Sequence, residues 1–300
     1  MVALLAVAPV GVVRPAFAIA HGENAPADHY RFSVRLTMIG LPTAGHGARD
    51  SSCSGALVAP RWVVTAGHCF RDAAGRRVSR PVARRTTATI GRTDLNRRDG
   101  HEVEVVGVRQ ADTADVALVE LAAAVTDIPL LRIGTAPPAA GEVVRLTGYG
   151  LTTDDESAQA SRLQTGQFVV DRVGDSVLET SGRAPKPDTS PCPHDSGGPY
   201  FQERPNGPVL VAVVSSGPGC PHAGPDFSAR TDNLADWLTT TIDDDGGVFP
   251  QWAWPVAGAG LLALTGVLTV MLAARRRSRG AGRRRAADAR GAQRPSGPLG

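Results

Sequence analysis

The segment Pro191-Cys-Pro-His-Asp-Ser-Gly-Gly-Pro199 carries a serine, Ser196, on a tight turn between Asp195 and the pair Gly197-Gly198. Two glycines let the backbone bend sharply and let a second chain pass close to it. A serine held this way exposes its Oγ, with neighbouring backbone N–H groups free to face a developing oxyanion. Serine alone is a weak nucleophile, so acyl-transfer chemistry here requires a histidine base and a carboxylate that orients it. Both types occur upstream, His68 in Val63-Val-Thr-Ala-Gly-His-Cys69 and Asp115 in Thr113-Ala-Asp-Val-Ala-Leu-Val-Glu-Leu121. A single Asp at the mouth of an apolar strand is more often a turn or cap residue. Asp115 gains its weight from the company of the other two.

The elements that must position these residues read as β-structure. Segments 34–39, 55–58, 62–65 and 102–108 are short, β-branched and broken by Gly, Pro or Asp, the pattern of a barrel or sandwich. The 34 Gly and 23 Pro in 300 residues fit a chain rich in turns. Residues 133–141, rich in Pro, Ala and Gly, read as a link between two halves. The second half begins at 143–149 and continues through 163–171; 180–190 reads as a polar, Pro-containing loop and 209–215 as an apolar strand. Leu234, Trp237, Leu238 and Ile242 recur at helical spacing, which predicts a terminal amphipathic helix over 231–242.

Both ends of the chain carry membrane-related signals. Residues 2–13 are uncharged and apolar, and Ala16-Phe-Ala18 follows as a small-x-small cleavage site, so 1–18 is expected to be a signal peptide. The positive n-region is missing, and the expectation is a start codon upstream. After a polar linker over 243–254, residues 255–274 form an uncharged or apolar stretch long enough for one membrane-spanning helix. Trp252 and Trp254 lie at its start and Arg275-Arg-Arg277 at its end, which places the basic tail (275–300) in the cytoplasm and 19–250 outside. The formal charge of +3 therefore conceals a division. The tail holds nine Arg and one Asp, whereas 19–274 hold 22 basic and 28 acidic residues. A mildly acidic ectodomain excludes a general nucleic-acid-binding surface. Four cysteines in an exported chain suggest two disulfides, although the count alone permits three connectivities. His21, His29, His46, His101 and His222 lack ligand spacing, and no metal or cofactor is expected.

The three pieces Thr-Ala-Gly-His68-Cys, Ala-Asp115-Val-Ala-Leu-Val and Asp195-Ser196-Gly-Gly-Pro, in that order, resemble the trypsin/chymotrypsin-like serine peptidases. The resemblance covers about residues 19–242 and implies two six-stranded antiparallel β-barrels, about 19–132 and 141–230, with the active site between them. It implies Ser196 as nucleophile, His68 as general base and then acid, and Asp115 as the group that fixes the imidazole. The N–H groups of His194 and Ser196 would form the oxyanion hole. Disulfides Cys53–Cys69 and Cys192–Cys220 match two of the family's. A freshly cut N-terminal Ile19 would pair with Asp195, and Ile19 directly follows the expected signal-peptidase site. The substrate would be a protein or peptide, cut by a monomeric, membrane-tethered ectodomain.

Two departures bear on activity and specificity. His194 stands where the family places glycine, and a strained side chain there would leave a catalytically impaired homologue acting as a surface binding module. The pocket would be built from Ser190 at its base, Ser215, Gly217 and Asp226, with Ser216 where the family usually has an aromatic residue. Asp226 replaces a usual glycine, and either pairs with an Arg or Lys side chain of the substrate or fills the pocket. A buried carboxylate without a partner is costly in either case.

Overall fold

The structure is a computed structural model that describes residues 19–45, 47–153, 155 and 159–244. The expected signal peptide (1–18), membrane-spanning segment (255–274) and basic tail (275–300) lie outside the described residues, as do the linker beyond residue 244 and His46. No helix among the described residues is long and apolar enough to cross a membrane.

After a short strand β1 (Glu23–Asn24), six antiparallel strands close a first barrel: β2 (Ser33–Pro42), β3 (Ala48–Ala59), β4 (Trp62–Thr65), β5 (Arg85–Ile90), β6 (His101–Gln110) and β7 (Ala117–Leu121), in the order β2-β3-β4-β7-β6-β5. Along β2 the period of two is plain: Val34, Leu36 and Met38 are buried in the barrel, while Arg35 and Thr37 are half-buried. Strands β4 and β7 are mostly apolar because both of their faces are covered, with Glu120 of β7 half-buried and paired with Arg61. Val63, Val119 and Leu121 fill the barrel, whereas Trp62, Val64 and Leu118 pack in a separate cluster with Phe201, Leu210 and Leu238.

The short strand β8 (Arg132–Ile133) leads to a second barrel of β9 (Val143–Gly148), β10 (Gln164–Val173), β11 (Val177–Ala184), β12 (Pro199–Gln202), β13 (Val209–Ser216) and β14 (Asp226–Arg230). The order β10-β11-β14-β13-β12-β9 is closed by the pairing of β9 with β10, with β1 added on β10 and β8 parallel to β13. The two six-stranded barrels expected from the sequence are therefore present. The segment 180–190, expected to be a loop, is a strand in its first half. Thr180 is fully buried and β11 pairs with both β10 and β14, so tertiary context overrides the polar composition. A 3-10 turn over Asp232–Leu234 enters the helix α1 (Ala235–Asp244). Leu238 is fully buried, and Leu234, Trp237 and Ile242 pack around it on the cluster between the strands.

Strand register brings the chemistry-bearing residues together. Thr65 at the end of β4 pairs with Ala117 at the start of antiparallel β7. His68, three residues beyond one, therefore meets Asp115, two residues before the other. In the second barrel Pro199 pairs with Val213, so the turn before β12 lies beside Ser215 and its successors at the end of β13.

Candidate active site

His68 sits in a 3-10 turn (Gly67–Cys69) tied to β3 by the disulfide Cys53–Cys69. Asp115 holds it twice: Oδ1 accepts the backbone N–H of His68 at 2.8 Å, and Oδ2 lies 2.6 Å from Nδ1. The second contact fixes the ring and leaves Nε2 as the nitrogen facing the cleft. A third donor was not foreseen from the sequence. The hydroxyl of Ser215 donates to Asp115 Oδ2 at 2.7 Å, linking the second barrel to the acid of the first. Burial pushes the Asp115 carboxyl up, but the bond to His68, its charge and the donation from Ser215 outweigh burial and hold it below its ordinary value.

Ser196 lies across this cleft on a turn pinned to the first barrel. Its carbonyl accepts the N–H of Ser54 at 2.9 Å, and the N–H of Gly197 reaches Val214 O at 2.8 Å. Gly197 has φ +80°, and a Cβ there would meet Thr65 Oγ1 at 2.1 Å and Ser54 O at 2.5 Å. Only glycine allows this turn to lie against β3 and β4. Ser196 and His68 line one cavity of about 480 Å³, together with His194 and the Cys53–Cys69 bridge. Among the described residues Ser196 Oγ makes no hydrogen bond, a common state for a nucleophile and base that close only around a substrate.

His194 occupies the left-handed region at φ +75°. Its Nδ1 lies 2.8 Å from the carbonyl of Ser52, and its own carbonyl accepts Ser54 Oγ at 3.1 Å. The backbone N–H groups of His194 and Ser196 have no protein acceptor among the described residues. Two unpaired donors beside a half-buried serine are what an oxyanion site requires. His194 thus adopts this left-handed conformation with its imidazole bound to β3.

Asp195 is fully buried beneath the turn. Oδ1 accepts Gly150 N–H at 2.9 Å; Oδ2 accepts Cys192 N–H at 3.0 Å and Ile19 N–H at 3.2 Å. Burial raises this carboxyl to about 7 against the pull of those three donors. Ile19, also fully buried, packs with Phe168 and Tyr200 inside the second barrel, so the structure does place it beside Asp195. In the continuous chain its nitrogen is a peptide N–H rather than an ammonium.

The pocket beside Ser196 has a volume of about 290 Å³ and is lined by Ser215, Gly217 and Asp226 among others, with Cys192–Cys220 bridging its walls. The expected base, Ser190, does not line it. Ser190 is 1% exposed, with its hydroxyl accepting His222 N–H at 3.2 Å, and the Asp226 carboxyl occupies the inner wall instead. A third opening of about 470 Å³ runs past His68, Arg71 and Ser216, on the side where Ser216 leaves room. No group of His, Cys, Asp and Glu among the described residues is arranged to hold a metal.

Residues 19–238 match the family model described as Trypsin. The chain is similar to the suppressor of tumorigenicity 14 protein homolog of Bos taurus, 27% identical over 247 residues that cover 74% of this chain and 28% of that protein. Serine protease 56 of Mus musculus is 29% identical over 252 residues, covering 73% and 38%. Trypsin of Squalus acanthias is 27% identical over 216 residues, covering 63% and 85%. The chain thus spans about a third of the length of the first two relatives and most of the third.

Proposed function

The chain belongs to the trypsin family, and from that premise we propose that it is a serine endopeptidase whose domain covers 19–242. The observation that carries this reading is the 2.6 Å contact between His68 and Asp115 in the cleft that Ser196 lines. Ser196 Oγ attacks the scissile carbonyl while His68 Nε2 takes its proton. Asp115 orients the ring and stabilises the imidazolium that forms. The N–H groups of His194 and Ser196 receive the oxyanion, an interaction worth about 10²–10³ in rate per donor in such sites. His68 then protonates the departing amine, leaving an acyl-enzyme, and a water molecule activated by the same base releases the acid.

Three finer points belong to this reading. Cleavage after Ala18 would turn Ile19 N into an ammonium already 3.2 Å from Asp195, so that removal of the leader itself supplies the counter-charge the buried carboxylate lacks. A span over 255–274 would tether the domain at the outer face of the membrane. Asp226 gives the pocket a weak preference for Arg or Lys before the cut. The rival reading, a surface binding module disabled by His194, has the left-handed φ of +75° on its side, but both N–H groups lack a protein acceptor among the described residues and so stay available to an oxyanion.

The test is labelling of the full chain by a fluorophosphonate, beside a Ser196→Ala control. Stoichiometric labelling lost in the control is expected. A folded protein that stays unlabelled after cleavage at Ile19 would refute the reading.

A further inference from the structure

Asp226, at the start of β14, is 1% exposed and lines the pocket next to Ser196. Its Oδ1 lies against Gly217, where a Cβ would come within 2.1 Å of it, and both residues line the cavity. Neither carboxyl oxygen has a hydrogen-bond partner among the described residues. Four residues earlier, His222 places Nε2 at 3.4 Å from Oδ1, with the two side chains 10% and 2% exposed. Both ring nitrogens of His222 also lack a hydrogen bond, and the residue is anchored instead by its backbone N–H on Ser190 Oγ. The other ionisable groups facing Asp226 are Asp195 of the nucleophile turn and Tyr200 of β12. Two polar groups are thus held together, each short of a hydrogen-bond partner among the described residues.

We propose that His222 is a specificity-determining residue of this pocket: its imidazole stands against the Asp226 carboxyl, and a cationic substrate side chain binds only as it takes the carboxyl from that ring and the carboxyl's proton leaves to solvent. The inference rests on the peptidase reading and states the condition under which the same site accepts its substrate. A protonated carboxyl is neutral, and the imidazole beside it offers a ring nitrogen able to accept its hydrogen bond. A guanidinium or ammonium entering a neutral, buried pair adds an uncompensated charge. Once the proton has gone, the pair carries −1 and the entering cation balances it; one cation enters and one proton departs. A neutral side chain enters without exchange. Burial and the charge of Asp195 raise Asp226 to about 8, consistent with a proton retained at neutral pH. Without His222, the carboxyl has no ring nitrogen to turn towards and meets an entering cation unopposed.

Benzamidine, an aryl amidinium, and benzamide, its neutral counterpart, probe the pocket without turnover. Each is titrated calorimetrically into the full chain carrying Ser196→Ala, in buffers of different ionisation enthalpy. At pH 7 benzamidine is expected to release about one proton and to tighten up to about tenfold per pH unit until pH 8. His222→Asn should tighten benzamidine about tenfold at pH 7, the equivalent of one pKa unit less competition, and leave benzamide unchanged. His222→Gln, run beside it, guards against a folding defect in either variant. Asp226→Asn should weaken benzamidine and abolish proton release. Binding without proton release, or benzamidine affinity unchanged in both His222 variants, overturns the inference. Fluorophosphonate labelling of the unmutated chain reports on the peptidase reading separately. A labelled protein without proton release sinks the inference alone; proton release in an unlabelled one sinks only that reading.

Discussion

Asp115 and Asp226 are acids of one cleft, treated in opposite ways by the barrels that carry them. Asp115 accepts His68 N–H, His68 Nδ1 and Ser215 Oγ, keeps 23% of its side chain exposed, and is held below its ordinary value. Asp226 accepts no hydrogen bond among the described residues, is 2% exposed and rises to about 8. Asp195 separates the two causes. It has three donors, as many as Asp115, yet full burial still lifts it to about 7. Equal donor counts therefore accompany opposite shifts: burial prevails at Asp195, while the bond to His68 and its charge prevail at Asp115. Asp115 has His68, and Asp195 lacks its partner for as long as Ile19 is an internal residue. The pocket acid is left in the state best suited to exchanging a proton for a cation.

The largest effect that would sharpen this comparison is on turnover. Asp115→Asn preserves shape but presents an amide to Nδ1, forcing the wrong tautomer on His68. Peptide hydrolysis should fall about 10⁴-fold in kcat/KM at neutral pH. Retention of more than a tenth of the activity would mean that the 2.6 Å contact does not govern the base.

Next in size is a pair of stability changes that should differ in sign. Asp195→Asn turns an NH₂ group towards backbone N–H groups, leaving buried donors facing each other at a cost of about 1–3 kcal/mol. For a domain of this size that lowers Tm by roughly 2–12 °C. Asp226→Asn should instead raise Tm at pH 9, since it removes a buried charge with no hydrogen bond. The sign follows from linkage. The folded value of about 8 lies above the unfolded one of about 3.9, so Asp226 contributes most below pH 4. Its contribution is lost as pH rises towards 8, by up to about 1.4 kcal/mol per unit. The advantage of the Asn variant should therefore grow from pH 4 to pH 8 and then level off. Parallel Tm–pH curves for variant and wild type would break the comparison.

Legibility in the sequence follows the same division. His68, Asp115 and Ser196 sit in short motifs whose residue types are dictated by chemistry, and β4, β7 and β13 are mostly apolar stretches with largely buried side chains. The two disulfide pairings came only with the resemblance, since the count allows three. What escaped depends on partners distant in the chain. β11 carries a buried Thr180 and reads as a loop until β10 and β14 flank it. Ser190 was placed at the pocket base by position, whereas the Asp226 carboxyl stands on the inner wall. The contact of His222 with Asp226 depends on where a loop folds back. The donation from Ser215 to Asp115 bridges 100 positions and both barrels, and no local pattern signals it.

That bond is the subject of the smallest predicted effect, and the most discriminating one. Ser215 also lines the pocket, so its replacement tests which of two roles matters. Ser215→Ala removes one of three donors from an ionised acceptor while His68 retains both of its bonds to Asp115. A net loss of about 1 kcal/mol corresponds to roughly fivefold in rate. The loss should fall on kcat, with KM unchanged, because the hydroxyl supports a carboxylate whose charge matters most when His68 becomes cationic. It should also grow as pH falls, since Asp115 loses one of the bonds that hold it below its ordinary value. A change confined to KM, and differing between substrates with basic and neutral side chains, would assign Ser215 to the pocket alone. The link between the barrels would then hold the fold together without tuning the acid it touches.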